Sequence, residues 1–250
     1  MFESTRLDQA MVQRRLARSR TQAARWIHQA RVEVDGVVMT KSSVKISATQ
    51  VLTVRPSDTP EYVSRGGHKL AGALEKFTSV TVNGKRCLDA GASTGGFTDV
   101  LLRAGADHVV AVDVGHGQLA ESLRGHPRVH PFEGVNVRHI QPEQIGGTAA
   151  LTVCDLSFIS LRLVVEPLAR VTDPGGDLIV MVKPQFEVGA HRLGRTGVVT
   201  SEQHQHEAVD GVVRAAAAAG LIEQGRVRSP LPGQDGNQEF FLWLTRPSGT

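Results

Sequence analysis

From about residue 80 onward, short apolar runs alternate with stretches of helical periodicity, and this alternation leaves few folds open. Residues 80–82, 87–88, 109–112, 151–154 and 178–182 read as buried strands, and 240–244 as a last one. Residues 97–103, 161–169 and 201–219 read as helices between them. Strands that are apolar on both faces and separated by helices predict an α/β fold, a parallel sheet covered on both sides. The chain has 250 residues, enough for such a domain and a small companion.

The turn after the second of these runs is the first to carry chemistry. Leu88-Asp89-Ala90-Gly91-Ala92-Ser93-Thr94-Gly95-Gly96-Phe97-Thr98-Asp99 leaves a strand and opens a helix. Glycines there let backbone approach a ligand and leave amides pointing at it. The order G-x-x-x-G-G fails the dinucleotide fingerprint G-x-G-x-x-G. It resembles motif I of S-adenosylmethionine-dependent methyltransferases, where the turn holds the methionine moiety. That resemblance implies the cofactor and makes Asp89, Gly91, Ala92, Ser93, Thr94, Gly95, Gly96 and Phe97 its candidate contacts. The next strand ends in Asp113-Val114. Asp113 lies about twenty residues beyond the turn, where an acid accepts the ribose hydroxyls of a nucleoside cofactor. A helix or turn cap is the plainer alternative for a lone aspartate. Glu133 and Asn136 follow a third strand and are candidates for the adenine end, with Val114 beside Asp113.

Two further residues mark strand ends. Asp155 follows Val153-Cys154, and Lys183 follows Val180-Met181-Val182. Ligands bind at that rim in open α/β sheets. Lys69 stands near the start of a helix patterned by Leu70, Ala73, Leu74 and Phe77, and Glu239 opens the last strand.

The N-terminal segment is different in kind. Residues 1–55 hold 10 Lys+Arg against 4 Asp+Glu, whereas the remainder holds 18 against 21. A basic module on a mildly acidic body suggests an arm that grips a polyanion. Leu7, Ala10 and Met11 have helical spacing, and Ser19 with Gln22 forms a capping-box pattern for a second helix. Asp35-Gly36 between valines predicts a hairpin. Arg6-Leu7-Asp8, Ser19-Arg20, Ala23, Ile27, Val32-Glu33-Val34-Asp35-Gly36, Lys41 and Val54 resemble the S4-like RNA-binding domain, with Ala30 where that family has glycine. The resemblance implies that Arg6, Arg14, Arg18, Arg20, Arg25 and Lys41 contact phosphates of folded RNA, contacts that position without reading sequence. Residues 56–63 read as a linker, leaving 1–55 as the S4-like domain and 64–250 as the catalytic body.

Ser64-Arg65-Gly66-Gly67-His68-Lys69, the glycine turn, Asp155-Leu156-Ser157-Phe158-Ile159-Ser160 and Lys183-Pro184-Gln185-Phe186-Glu187 together resemble the TlyA family over nearly the whole chain. Those proteins join an S4-like domain to a Rossmann-like, FtsJ-like methyltransferase domain. The resemblance implies 2′-O-methylation of cytidine ribose in 16S and 23S ribosomal RNA. It carries over a Lys-Asp-Lys-Glu tetrad as Lys69, Asp155, Lys183 and Glu239, with Asp155 also facing cofactor and Arg65 facing RNA. The chemistry is coherent. A ribose hydroxyl is a poor nucleophile and must lose its proton as it attacks a sulfonium methyl. A lysine accepts a proton only in its neutral form, which burial and a second nearby cation favour. Lys183 is the expected general base, Lys69 steadies the oxyanion, and the two carboxylates orient the amines.

Other classes fit less well. Cys87 and Cys154 lie in apolar runs, so a disulfide framework or zinc site is not expected. Cys154 follows valine, not the proline usual before an attacking cysteine in cytosine carbon methylation, and Asp155-Leu156-Ser157-Phe158 lacks the prolines of amine methylation. His191, His204 and His206 do not form a convincing metal set, so no metal is expected. No apolar run approaches a membrane span, and the N-terminus lacks an apolar signal core. A cytoplasmic monomer acting on ribosomal RNA or ribosomal subunits is the expectation. The alternatives are a catalytically inert ribosome-assembly factor and, as the family's haemolysin label implies, a membrane-lytic protein.

Overall fold

An apolar stripe on two short helices organises the N-terminal residues. In the computed structural model, which describes residues 4–56, 61–189, 193–194 and 196–249, the chain divides into units Met1–Glu61 and Tyr62–Thr250. The first unit contains β1 (Thr5–Arg6), α1 (Leu7–Gln13), α2 (Arg20–His28), β2 (Val32–Val34), β3 (Val37–Met39), β4 (Lys45–Ile46) and β5 (Leu52–Val54). Strand β1 pairs with β4, and β2 lies between β3 and β5, all antiparallel. Leu7, Met11, Ile27 and Val32 are fully buried between them. Ser19 caps α2 by accepting the Gln22 N–H. The reciprocal half of the expected capping box shifts by one residue, because Gln22 Oε1 accepts from the Arg18 N–H at 2.8 Å. Asp35 and Gly36 both take positive φ, as a two-residue hairpin of type I′ demands. Ala30 holds a φ of +57° where the S4 pattern has glycine, so the turn survives at a cost of about 1–2 kcal/mol in Cβ crowding.

The second unit contains α3 (Arg65–Lys76), β6 (Arg86–Ala90), α4 (Gly96–Arg103), β7 (His108–Asp113), α5 (Glu121–Arg124), β8 (Val129–Glu133), β9 (Ala149–Cys154), α6 (Val165–Arg170), β10 (Thr172–Val182), α7 (Pro184–Glu187), α8 (Glu202–Ala218), β11 (Ile222–Arg228) and β12 (Phe240–Thr245). Its seven strands have the order β11-β12-β10-β9-β6-β7-β8. Six run in one direction as expected, but β12 lies antiparallel between β10 and β11. Period-two alternation divides the buried side chains between two faces. Leu88, Val110, Leu178 and Leu242 pack with Leu168 of α6 and Val212 of α8, whereas Cys87, Val109, Val153 and Phe241 pack with Leu70 of α3 and Leu101 of α4.

Three local expectations change. Residues 80–82 form no strand; Val82 is buried, but the Lys85 N–H bonds to its carbonyl and the Gly84 N–H to the Gly105 carbonyl, closing a turn before β6. The expected helix over 161–169 divides into a 3₁₀ turn (Leu161–Leu163) and α6. Strand β11 was not legible, since its apolar residues are interrupted by Glu223, Arg226 and Arg228. Both cysteines are free and buried, and burial pushes the Cys87 thiol up to about 12 and the Cys154 thiol higher still, so they behave as small apolar residues. Among the described residues no helix is long and apolar enough to cross a membrane, and no group of three or more His, Cys, Asp or Glu could hold a metal.

Candidate active site

The carboxyl ends of β6, β9 and β10 converge on one rim, and the glycine turn shapes its floor. The N–H groups of Gly91 and Ala92 both bond to the Val112 carbonyl, at 2.8 and 3.0 Å, and pin the turn to β7. Gly91 has a φ of +87°, and a β-carbon there would lie 2.5 Å from the Asp155 carbonyl oxygen, so only glycine fits. A β-carbon on Gly96 would lie 2.2 Å from Ser64 Oγ and 2.9 Å from the Gly67 amide nitrogen. Gly96 thus lets the N-terminal end of α4 press against that of α3. That approach carries Lys69 to the turn.

A cavity of about 240 Å³ opens there, lined by Ser64, Arg65, Lys69, Gly91, Ser93, Thr94, Gly96, Phe97, Asp155, Ser157, Lys183 and Gln234 among others. Lys69 Nζ lies 2.5 Å from Glu239 Oε2, and both residues are buried. Lys183 Nζ lies 2.6 Å from Asp155 Oδ1 and donates to Ser157 Oγ at 2.8 Å. Each lysine therefore has its own carboxylate. Both lysines and Asp155 reach the cavity, and Glu239 stands behind Lys69 and is 2 % exposed.

A narrow second groove continues from Ala92 and Ser93 to Asp113, Gln118, Phe132 and Glu133. Asp113 receives the Ser93 N–H at 2.8 Å on one oxygen and the Gly115 N–H at 2.7 Å on the other. Glu133 receives the Gly117 N–H. The two lobes match a methionine end and a nucleoside end, and they meet at Ala92 and Ser93 of the glycine turn. The residues fit the cofactor that the turn implies.

Not every candidate faces these lobes. Asp89 is completely buried beneath the turn, accepts the Thr98 hydroxyl at 2.6 Å, and leaves Oδ1 without a partner. Burial, with Asp155 and Asp113 adding repulsion, raises its carboxyl to about 7. Gly95 caps α4 with a φ of +93°. Val114 projects outward, 67 % exposed, and Asn136 accepts the Arg138 N–H at the start of a 3₁₀ turn. Among the basic candidates, Arg14 donates to the carbonyls of Ser47, Ala48 and Gln50 and so staples a loop. Arg6 and Arg20 both pair with buried Asp8, and Arg25 approaches Glu61 at 3.9 Å. Arg18 and Lys41 are exposed. Arg65 reaches the Pro232 carbonyl at 3.4 Å from the cavity edge. His191 lies outside the described residues.

Two further residues stand out in the structure though nothing in their own motifs singles them out. Phe158 is 92 % exposed, has a φ of +63°, and packs its ring 5.3 Å from that of Phe186. This aromatic side chain is held out in the left-handed region, one residue from Ser157, both strained and unburied. Glu187 is buried and receives the Ser160 hydroxyl, the Leu161 N–H and the Arg162 guanidinium. It ties the loop after Asp155 to the helix after Lys183. No single-residue signal could have marked it, since its partners lie some 26 residues away.

The FtsJ-like methyltransferase family model matches residues 62–246, and the S4 domain model matches residues 5–52. The chain is 50 % identical over 244 residues to the Mycobacterium tuberculosis (strain ATCC 25618 / H37Rv) protein named 16S/23S rRNA (cytidine-2'-O)-methyltransferase TlyA, covering 98 % of this chain and 91 % of that one. A solved structure of a candidate hemolysin from Streptococcus thermophilus matches with a TM-score of 0.75 and 35 % identity, over 100 % of this chain and 90 % of the other. An S-adenosylmethionine dependent methyltransferase from Mesorhizobium loti shares the fold of the second unit at a TM-score of 0.53 and 16 % identity, over 70 % and 96 % of the two chains. With a family model spanning the whole catalytic unit and a relative half identical end to end, the chain belongs to the TlyA family of FtsJ-like methyltransferases, which carries an S4 domain ahead of the catalytic one.

Proposed function

We propose that this enzyme methylates the ribose 2′-hydroxyl of cytidines in 16S and 23S ribosomal RNA, using S-adenosylmethionine, in the cytoplasm and as a monomer. The observation that carries the reading is the pair of lysines, each beside its own carboxylate, on the wall of one cavity that begins at the glycine turn. When bound, the cofactor supplies an electrophilic methyl group on a sulfonium. Gly91, Ala92, Ser93, Thr94, Gly96 and Phe97 cradle its methionine end, and Asp113 and Glu133 its nucleoside end. Asp89, Gly95, Val114 and Asn136 support that cradle from behind or beside it. Lys183 Nζ, once its own proton has passed to solvent, takes up the proton of the attacking hydroxyl, held in aim by Asp155 and Ser157. Lys69, steadied by Glu239, stabilises the negative charge that grows on the oxygen. The fixed placement of both amines supplies much of the acceleration.

Residues 1–55 grip the RNA, 56–63 link, and 64–250 catalyse. Arg6 and Arg20, locked on the shared Asp8 carboxylate, present a fixed pair of guanidiniums to phosphate, and Arg18, Arg25, Lys41 and Arg65 extend the basic surface. The test is incubation of the pure protein with 30S and 50S subunits and labelled cofactor, followed by mass mapping of the RNA. Label on cytidine ribose is expected. Cofactor binding with no transfer to either subunit would sink the enzymatic reading and favour an inert assembly factor.

Phe158 fits the face of the nucleobase attached to the target ribose. Stacking on an aromatic side chain is worth about 1–3 kcal/mol per base. Phe158→Ala is therefore expected to reduce kcat/KM for ribosomal subunits by about 10- to 100-fold. Calorimetry should give the same cofactor affinity as the parent protein. An unchanged kcat/KM would remove Phe158 from substrate binding.

A further inference from the structure

A second cavity in the catalytic unit, about 430 Å³, shares no lining residue with the catalytic one. Its walls include Arg162, Glu187, Gly189 and, from α8, Glu207, Gly211 and Arg214. Two guanidiniums converge over Gly211. A β-carbon on that glycine would lie 3.8 Å from Arg214 Nη2 and 3.9 Å from Arg162 Nη1. These are ordinary contacts, so no collision forces a glycine, although glycine inside a helix is less stable than alanine. What the glycine does is leave the floor between the two arginines bare.

Among the described residues two carboxylates, Glu187 and Glu207, share the lining with the two arginines. Both Glu187 oxygens are occupied by the Leu161 N–H and the Ser160 hydroxyl, and the same carboxylate fixes Arg162 through Nε at 3.2 Å. Arg162 Nη2 donates to the Glu187 carbonyl, which leaves Nη1 directed at the cavity. Glu207 accepts from Gln203 Nε2 at 2.9 Å and has a further interaction. Arg214 is exposed and has no hydrogen-bond or ion-pair partner among the described residues. Two like charges held toward one point repel unless an anion lies between them. A guanidinium pair presents the donor fork that suits phosphate oxygens.

We infer that this cavity holds a backbone phosphate of the substrate RNA strand, flanking the target ribose. Arg162 follows exposed Phe158 by four residues and Glu187 follows Lys183 by four, so the site lies on the same strand-end rim as the chemistry. The inference rests on the proposed RNA substrate. Arg214→Gln is expected to raise KM for ribosomal subunits about three- to tenfold and to reduce the slope of log affinity against log salt by about 1, with kcat and cofactor affinity unchanged. Gly211→Ala puts a methyl group on the phosphate floor and should raise KM similarly without lowering the melting temperature. Arg170→Gln, on a surface arginine paired with Glu166, is the control and should change nothing. The salt slope is measured by binding to ribosomal RNA, without turnover. Failure of the parent protein to transfer methyl would therefore sink the proposed function alone. A parent-like slope and KM in both site variants, or an equal effect of the Arg170 control, overturns the phosphate site.

Discussion

Lys183→Ala is expected to lose methyl transfer to ribosomal subunits by at least a hundredfold in kcat while binding the cofactor as before. The size follows from the role: a positioned general base contributes about 10²–10⁴ in rate. Lys183 is the cavity amine that also bonds a neutral hydroxyl, Ser157, so it is aimed as well as paired. Removing it leaves Asp155, about a quarter exposed, without its cation. Partial exposure lets water take over much of that role, so the stability loss should stay near 1 kcal/mol, a fall of about 2–4 °C in melting temperature for a domain this size. Rates measured well below the transition therefore report chemistry rather than unfolding. Lys183→Arg sharpens the result. A guanidinium keeps the charge beside Asp155 but does not give up its proton near neutral pH, so it restores stability and not turnover. Turnover within tenfold of the parent in either variant removes Lys183 from the mechanism.

The second unit was legible in the sequence wherever burial on both faces produced uninterrupted apolar runs. Strands β6, β7, β9, β10 and β12 announce themselves that way, because each is covered on both sides of the sheet. Strand β11 lies at the sheet edge with alternate residues in water, and its charges hide it. The catalytic candidates were legible because chemistry restricts residue type: lysines and carboxylates at strand ends have few structural reasons to be there. What holds them was not legible. The role of Gly96 depends on where Ser64 and Gly67 come to rest, and Glu187 acquires its meaning only when the loop after β9 packs beside it. Such relations are set by tertiary approach. The same holds for Arg14, which the S4 resemblance places among the RNA contacts and the fold engages with loop carbonyls.

Asp89 gives the other large effect, and it is one of stability. Its carboxyl is raised to about 7 in the folded chain, chiefly by burial, against 3.8 for the free group. The native state thus binds this proton more tightly than the unfolded chain does. The sign follows: the contribution is most favourable below the unfolded pKa, declines as pH rises from about 4 to about 7, and is level above that. Three pKa units correspond to about 4 kcal/mol. Asp89→Asn keeps the shape and the acceptor for Thr98 and cannot ionise, so the decline should disappear. Denaturant unfolding of both proteins between pH 4 and pH 9 measures it as a difference. The variant should gain on the parent steadily across that window, by about 4 kcal/mol in all, with the gap constant above pH 7. A gap that does not move with pH would mean that Asp89 ionises normally beneath the turn. The physical reason to expect otherwise lies in its surroundings. Asp113 and Asp155, both only partly buried, are already committed near the glycine turn, one to backbone amides and one to Lys183, and a charge on fully buried Asp89 has no cation to meet it.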